Sequence, residues 1–170
     1  MSAPPAAGSL APREIVTLQG HILAQQARYP EATGTLTWIL SAMSISAKMI
    51  AAQVRRARLT DVLGAAGADN VQGEQQQKLD VIANEILLRT LGSREGVAVV
   101  ASEENEEPVI IREDRSGDRK YCVLFDPLDG SSNLDVAGGV VTIFSILRED
   151  RRAARAAGSL LQAGQHQVAA

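Results

Sequence analysis

A single cysteine, Cys122, and two histidines, His21 and His166, make up the chain's whole stock of thiol and imidazole side chains across 170 residues. One cysteine excludes an intramolecular disulfide, and its place in the apolar run Tyr121–Phe125 marks a buried thiol of a reducing, cytoplasmic setting. Neither histidine has a second histidine or a cysteine near it in sequence, so zinc, haem and iron–sulfur centres have no ligand set. Positive charge is not in excess either. A net charge of −3 gives no electrostatic case for nucleic acid or an anionic membrane as partner. The longest apolar stretch, Ile39 to Val54, is broken by Ser41, Ser44, Ser46 and Lys48, which argues against a membrane span. Met1 to Pro12 is rich in Ala and Pro without a basic start or an apolar core, so it reads as a disordered tail rather than a secretory signal. Internal repeats, a P-loop, a Gly-rich dinucleotide fingerprint and a Ser–His nucleophile pair are all missing.

What is present is a globular balance, 45% hydrophobic and 22% charged, at a length that suits one domain or one lobe of a larger protein. Arg13 to Arg28 carries Ile15, Leu18, Ile22 and Leu23 at helical spacing, ended by Tyr29-Pro30. A longer helix follows Thr33-Gly34-Thr35, with Leu36, Ile39, Leu40, Met43, Ala47, Ile50 and Val54 on one face and the cations Arg55, Arg56 and Arg58 at its end. Asp61 to Asn70 is small and Gly-rich, read as a short helical turn with loops. Lys78 to Leu91 predicts a third helix, stopped by Gly92. Short β-branched runs then predict strands at Val97–Ala101, Val109–Ile111, Tyr121–Phe125 and Thr142–Leu147. Helices first and strands later imply an α+β fold, with N-terminal helices packed on a mainly antiparallel sheet. The charge run Arg148–Arg155 reads as a linker or exposed helix.

Asp126-Pro-Leu-Asp-Gly-Ser-Ser-Asn133 is the most informative segment. A buried strand delivers Asp126, and Pro127 holds the chain extended there. Asp126, the Leu128 carbonyl and Asp129 can then converge on one hard cation, all three being oxygen ligands. Gly130 permits positive φ, so the amides of Gly130, Ser131 and Ser132 can face a phosphate. Ser132-Asn-Leu-Asp135 matches a capping box for a short helix there. Glu103-Glu104 follows the first strand, where alternation would send the two carboxylates to opposite sides. By itself that pair is only a solvated acidic loop. Glu74 and Asp80 flank the start of the third helix, and Asp80 beside buried Leu79 needs a partner or a metal. Together these carboxylates describe metal-assisted phosphoester hydrolysis, with metal ions about 3.5–4 Å apart clamping the phosphate.

Asp126–Asn133, Ser102-Glu-Glu104, Gly73–Asp80 and Thr142-Ile-Phe144 occur in an order that resembles class I fructose-1,6-bisphosphatase. The resemblance runs from about residue 13 to Leu147, and Leu161–Ala170 is similar to the family's next segment. It implies a layered α/β sugar-phosphatase fold with the second lobe missing: a tail at 1–12, a lobe at 13–147, and a linker with the start of the second lobe at 148–170. It implies hydrolysis of the 1-phosphate of fructose 1,6-bisphosphate in gluconeogenesis, with two or three magnesium ions, manganese being an alternative. Glu74, Glu103, Glu104, Asp126, the Leu128 carbonyl and Asp129 would be metal ligands, and Asp80 and Glu104 would polarise the attacking water. Asp129, Gly130, Ser131 and Ser132 would hold the phosphate of the phosphorylated sugar. An allosteric AMP site would use Thr33, Gly34, Thr35, Leu36 and Thr37 with Lys120 and Tyr121. Thr35 stands where many relatives have glutamate, and Val140-Val141 where glycine is usual. The resemblance also implies a homotetramer and, for this chain alone, impaired activity. Three other readings stay open: an inositol-phosphatase-type enzyme, a sedoheptulose bisphosphatase, and a non-catalytic regulatory or subunit-pairing module.

Overall fold

In the computed structural model the chain is described at residues 15–30, 32–57, 59, 62–69, 75–114, 117, 120–136 and 138–170. The expected tail at 1–12 and the expectations for Arg13, Arg58 and Glu74 lie outside these. The chain divides into two units, one ending at Ala32 and the other running Thr33–Ala170.

The first unit contains α1 (Leu18–Gln26), shorter than the Arg13–Arg28 segment expected. Thr17 starts it: the hydroxyl accepts from the Gly20 amide at 3.0 Å. None of its residues is buried.

The second unit is built on α2 (Thr35–Arg56), α3 (Lys78–Gly92) and a sheet of β3 (Val97–Ser102), β4 (Val109–Ile110), β5 (Tyr121–Asp129), β6 (Val141–Arg148) and β7 (Gln167–Ala169). The order is β4-β3-β5-β6-β7; β3 and β5 are parallel and the other neighbours antiparallel. The expected mainly antiparallel α+β sheet is present. Strand alternation sorts its two faces. Val123, Phe125 and Ile146 point to one face and meet Ile39, Met43 and Ile50 of α2 and Leu79, Leu87 and Leu91 of α3 in the main core. Cys122 and Leu147 point to the other, in a smaller cluster with Val99, Leu124 and Leu160. Cys122 is fully buried, as the reading of a structural thiol requires.

By length and composition α2 is apolar enough to cross a membrane, but its buried Ile39, Ala42, Met43, Ser46 and Ile50 make it the core helix of this unit. A polar contact keys it to α3. Ser46 Oγ lies 2.7 Å from Thr90 Oγ1, and the Thr90 hydroxyl donates to the Ile86 carbonyl, so the Ser46 hydroxyl is the donor between the helices.

Four expectations need correction. Within the Gly-rich segment 61–70, Ala65–Asp69 is a strand, β1, pairing antiparallel with β2 (Gln75–Gln77). Gly64 and Gly67 adopt φ +87° and +86°, which glycine alone accepts without strain, and the Lys78 amide closes the pair onto Gly64 O at 3.0 Å. Gly92 does not stop α3; Ser93 caps it with ordinary φ, its hydroxyl donating to Thr90 O at 2.9 Å. The run 148–155 is not a solvated linker throughout. Arg148 ends β6, Glu149 is only 3% exposed with its amide on Lys120 O, and Asp150 N donates to Ser159 Oγ at 2.9 Å. Beyond it, a 3-10 helix at Ala156–Leu161 covers the small cluster, and β7 extends the sheet. Lastly, the short helix after Gly130 is 3-10 and begins at Ser131, not after a Ser132 cap.

Candidate phosphate and metal site

The parallel pair β3–β5 brings two acidic segments to the same sheet end, where ligands of such strands usually bind. Ser102 pairs with Phe125, so Glu103 leaves β3 beside Asp126, which continues in β5. The Glu103 amide still donates to Phe125 O at 3.1 Å. The chain then turns: Glu104 N donates to Ser102 Oγ at 3.2 Å and Asn105 N to Ser102 O at 3.2 Å. Glu103 and Glu104 therefore sit in a turn, and the strand alternation expected to part their side chains does not apply to them.

Past Asp126, β5 carries one residue more than β6: Asp126 pairs with Ile143 but Asp129 with Val141. Pro127 has no amide to pair, its carbonyl accepts from Thr142 Oγ1 at 3.0 Å, and the Leu128 amide turns to Asp126 Oδ1 at 2.9 Å. Gly130 follows with φ +82°, its carbonyl accepting from the Asn133 amide at 2.9 Å. A Cβ at Gly138 would lie 2.5 Å from Asn133 Cβ, so glycine there lets the returning chain close over this loop. Asp129 and Ser132 are exposed, Gly130 and Ser131 partly so.

Asp80 reaches the same loop from the helix layer. It is 3% exposed and belongs to a capping box with Gln77, whose amide donates to Asp80 Oδ2 at 2.7 Å. The Ser131 hydroxyl donates to the same oxygen at 3.0 Å. The partner demanded by a carboxylate beside Leu79 is thus found 51 residues along the chain. Asp126, by alternation, lies on the face of Cys122 and Leu124, opposite the helices. Asp80 and Asp126 approach the end of β5 from two sides, and among the described residues no three acidic, His or Cys side chains gather as a metal-holding group. The donors fit a hard divalent cation in kind, being oxygens only. Glu74 lies outside the described residues.

The second group of expected site residues is also drawn together. Gly34 begins α2 at φ +79° and, having no side chain, supplies the first turn with no cap of its own. Thr33 and Thr35 hydroxyls are 2.9 Å apart. Gly96 joins this helix start to β5: its carbonyl accepts from the Tyr121 amide at 2.8 Å, and a Cβ there would lie 2.1 Å from Thr35 Cγ2. The Lys120 ammonium donates to the Asp114 carbonyl. Arg148, read from sequence as linker, is the cross-strand partner of Tyr121.

This architecture is shared with solved sugar bisphosphatases. Fructose-1,6-bisphosphatase from Leishmania major in its holo form superposes with a TM-score of 0.77 at 33% identity, over 90% of this chain and 47% of that one. Its T-state structure gives 0.67 at 31% identity. The fold is therefore the α+β, N-terminal half of a phosphatase of that kind. A family described as fructose-1-6-bisphosphatase, N-terminal domain, matches residues 16–170, and the chain belongs to this family. Similar proteins include the class 1 fructose-1,6-bisphosphatases of Chlorobium chlorochromatii, 48% identical over 158 residues, and Chlorobium phaeovibrioides, 46% over 159. Both alignments cover 92% of this chain and 47% of the relative, so the chain spans about half the length of those proteins.

Proposed function

We propose that this chain is the metal- and phosphate-handling half of an enzyme that hydrolyses the 1-phosphate of fructose 1,6-bisphosphate to fructose 6-phosphate and phosphate. The observation that carries the reading is the 3.0 Å bond from Ser131 to buried Asp80. It ties a candidate proton acceptor to the amide loop at the end of β5, beside the strand end that delivers Glu103. Magnesium, or manganese in its place, would supply charge neutralisation and a more acidic bound water. Glu103, Glu104, Asp126, Asp129 and the Leu128 carbonyl would hold two or three such ions, with Glu74 as a further ligand. The amides of Gly130, Ser131 and Ser132 and the Ser132 hydroxyl donate to the phosphoryl oxygens, the Ser131 hydroxyl being held by Asp80. Asp80 and Glu104 accept hydrogen bonds from the attacking water, orient it in line with the sugar oxygen and take its proton. Because Asp80 is locked into a helix start, the water and the phosphate are positioned by one rigid piece. Sugar and second-phosphate contacts would come from the half of the relatives that this chain does not span.

Calorimetry with inorganic phosphate tests this. Phosphate binding is expected to require Mg²⁺ and to weaken on Ser131→Ala; phosphate bound equally with and without the metal contradicts it.

The uncapped start of α2, joined to Tyr121 through Gly96, favours a second reading of the same chain as an AMP-responsive lobe. AMP phosphate would meet the first turn of α2 at Thr35–Thr37, with Lys120 supplying charge. AMP is expected to bind without Mg²⁺ and to be weakened by Lys120→Ala; an unchanged Lys120→Ala titration contradicts it.

A further inference from the structure

The two glutamates of the Ser102–Asn105 turn are held at one end by the sheet, through the Glu103 amide on Phe125 O. What holds the other end is a side chain of α3. Asn84 Nδ2 donates to Asn105 Oδ1 at 2.7 Å. Asn84 is four residues after Asp80, one turn further along the same helix face and about 6 Å along its axis. That face therefore makes two polar bonds into the sheet end. Asp80 accepts from the Ser131 hydroxyl of the loop after β5, and Asn84 donates to the Asn105 side-chain carbonyl of the turn after β3. The turn's backbone bonds, Glu104 N to Ser102 Oγ and Asn105 N to Ser102 O, stay within the turn and do not fix it to the helix layer. Asn84 Oδ1 is buried without a hydrogen-bond partner, a cost that a purely structural site would shed by substituting an apolar residue.

We infer that Asn84 is a positioning residue: through Asn105 it sets the Glu103–Glu104 turn against Asp80, and the affinity of the site for a divalent cation depends on that bond. The inference rests on the metal reading above. Outer-shell partners of this kind typically change metal affinity about 10–100-fold. Neither side chain meets the ion, so the effect is on geometry.

The test is Mn²⁺ titration of the whole 170-residue chain, with free Mn²⁺ read by electron paramagnetic resonance. Asn84→Ala and Asn105→Ala are each expected to weaken binding about tenfold or more. The double variant is expected to be no weaker than the worse single, because both remove one bond. Asn84→Ala improves helix propensity, and Asn105 lies in a turn, so thermal unfolding midpoints check that both variants fold. Losses that multiply in the double variant overturn the inference, since they show two independent structural effects. Mn²⁺ bound equally by the unsubstituted chain and Asn84→Ala overturns it alone. No Mn²⁺ binding by the unsubstituted chain overturns the metal reading and this inference with it.

Discussion

Asp80 carries two jobs that a substitution can separate. As the carboxylate of a capping box it needs only an acceptor oxygen for the Gln77 amide, and an asparagine supplies one. As proton acceptor it needs the charge. Asp80→Asn is therefore expected to change unfolding free energy by about 1 kcal/mol or less. In a protein that also has the half missing from this chain, the same change is expected to lower phosphate release about 10²–10⁴-fold. Comparable losses in both measurements would make Asp80 a structural cap. Ser131→Ala removes a donor to a buried carboxylate that keeps its backbone bond, with an expected cost of about 1–2 kcal/mol in denaturant unfolding. At this scale the sequence is partly legible. The Asp-Pro-x-Asp-Gly run announces its chemistry because proline, glycine and paired carboxylates have few other uses together, and Asp80 betrays itself by its apolar neighbour. The Asn84–Asn105 bond gives no such signal: one asparagine looks like helix surface and the other like part of an acidic loop. The turn that places Glu103 and Glu104 is also hidden, since the Ser102 hydroxyl that closes it is an ordinary residue in sequence.

Among the elements, those with a strong periodic pattern are the ones the sequence reveals. α2, α3, β3 and β6 fall close to their expected bounds because each buries apolar residues in a shared core, whereas β5 runs on past Phe125 to Asp129. β1 and β2 escape, as Ala-Ala-Gly-Ala-Asp and Gln-Gln-Gln have little β propensity and are held by pairing and by two positive-φ glycines. The 3-10 helix at Ala156–Leu161 escapes because three residues of its approach are arginines. The packing of α2 on the sheet depends on a glycine whose role no local pattern reveals. At Gly96 a Cβ would lie 2.1 Å from Thr35 Cγ2, and threonine has little rotamer freedom to yield. Gly96→Ala is expected to cost about 1–3 kcal/mol in urea unfolding. Adding Thr35→Ser, which deletes the methyl in the way and keeps the hydroxyl, is expected to recover most of that loss. A double variant as unstable as the single would place the strain elsewhere.

For the whole molecule, the sheet has one well-covered face and one that is covered only in part. Val141 and Ile143 of β6 are 54% and 52% exposed, on the face opposite the helices, near the outermost strand β7. Apolar side chains at a strand edge promote association. The chain is expected to self-associate with rising concentration in sedimentation velocity, and Val141→Thr with Ile143→Thr to reduce that association; equal behaviour of the two proteins would rule this surface out. The same incomplete side contains the pairing of Asp126 with Ile143, so the proposed ligand Asp126 and the proposed proton acceptor Asp80 of α3 approach the end of β5 from opposite faces. A divalent ion held by the Glu103–Glu104 turn and the Asp126 loop must then sit within reach of Asp80. Crystals of the chain grown with Mn²⁺ and inorganic phosphate, measured at the manganese absorption edge, examine this directly. Anomalous peaks are predicted among Glu103, Glu104, Asp126 and the Leu128 carbonyl, with phosphate against the amides of Gly130–Ser132. Manganese bound only elsewhere on the molecule, or no ordered ion at all, contradicts the account.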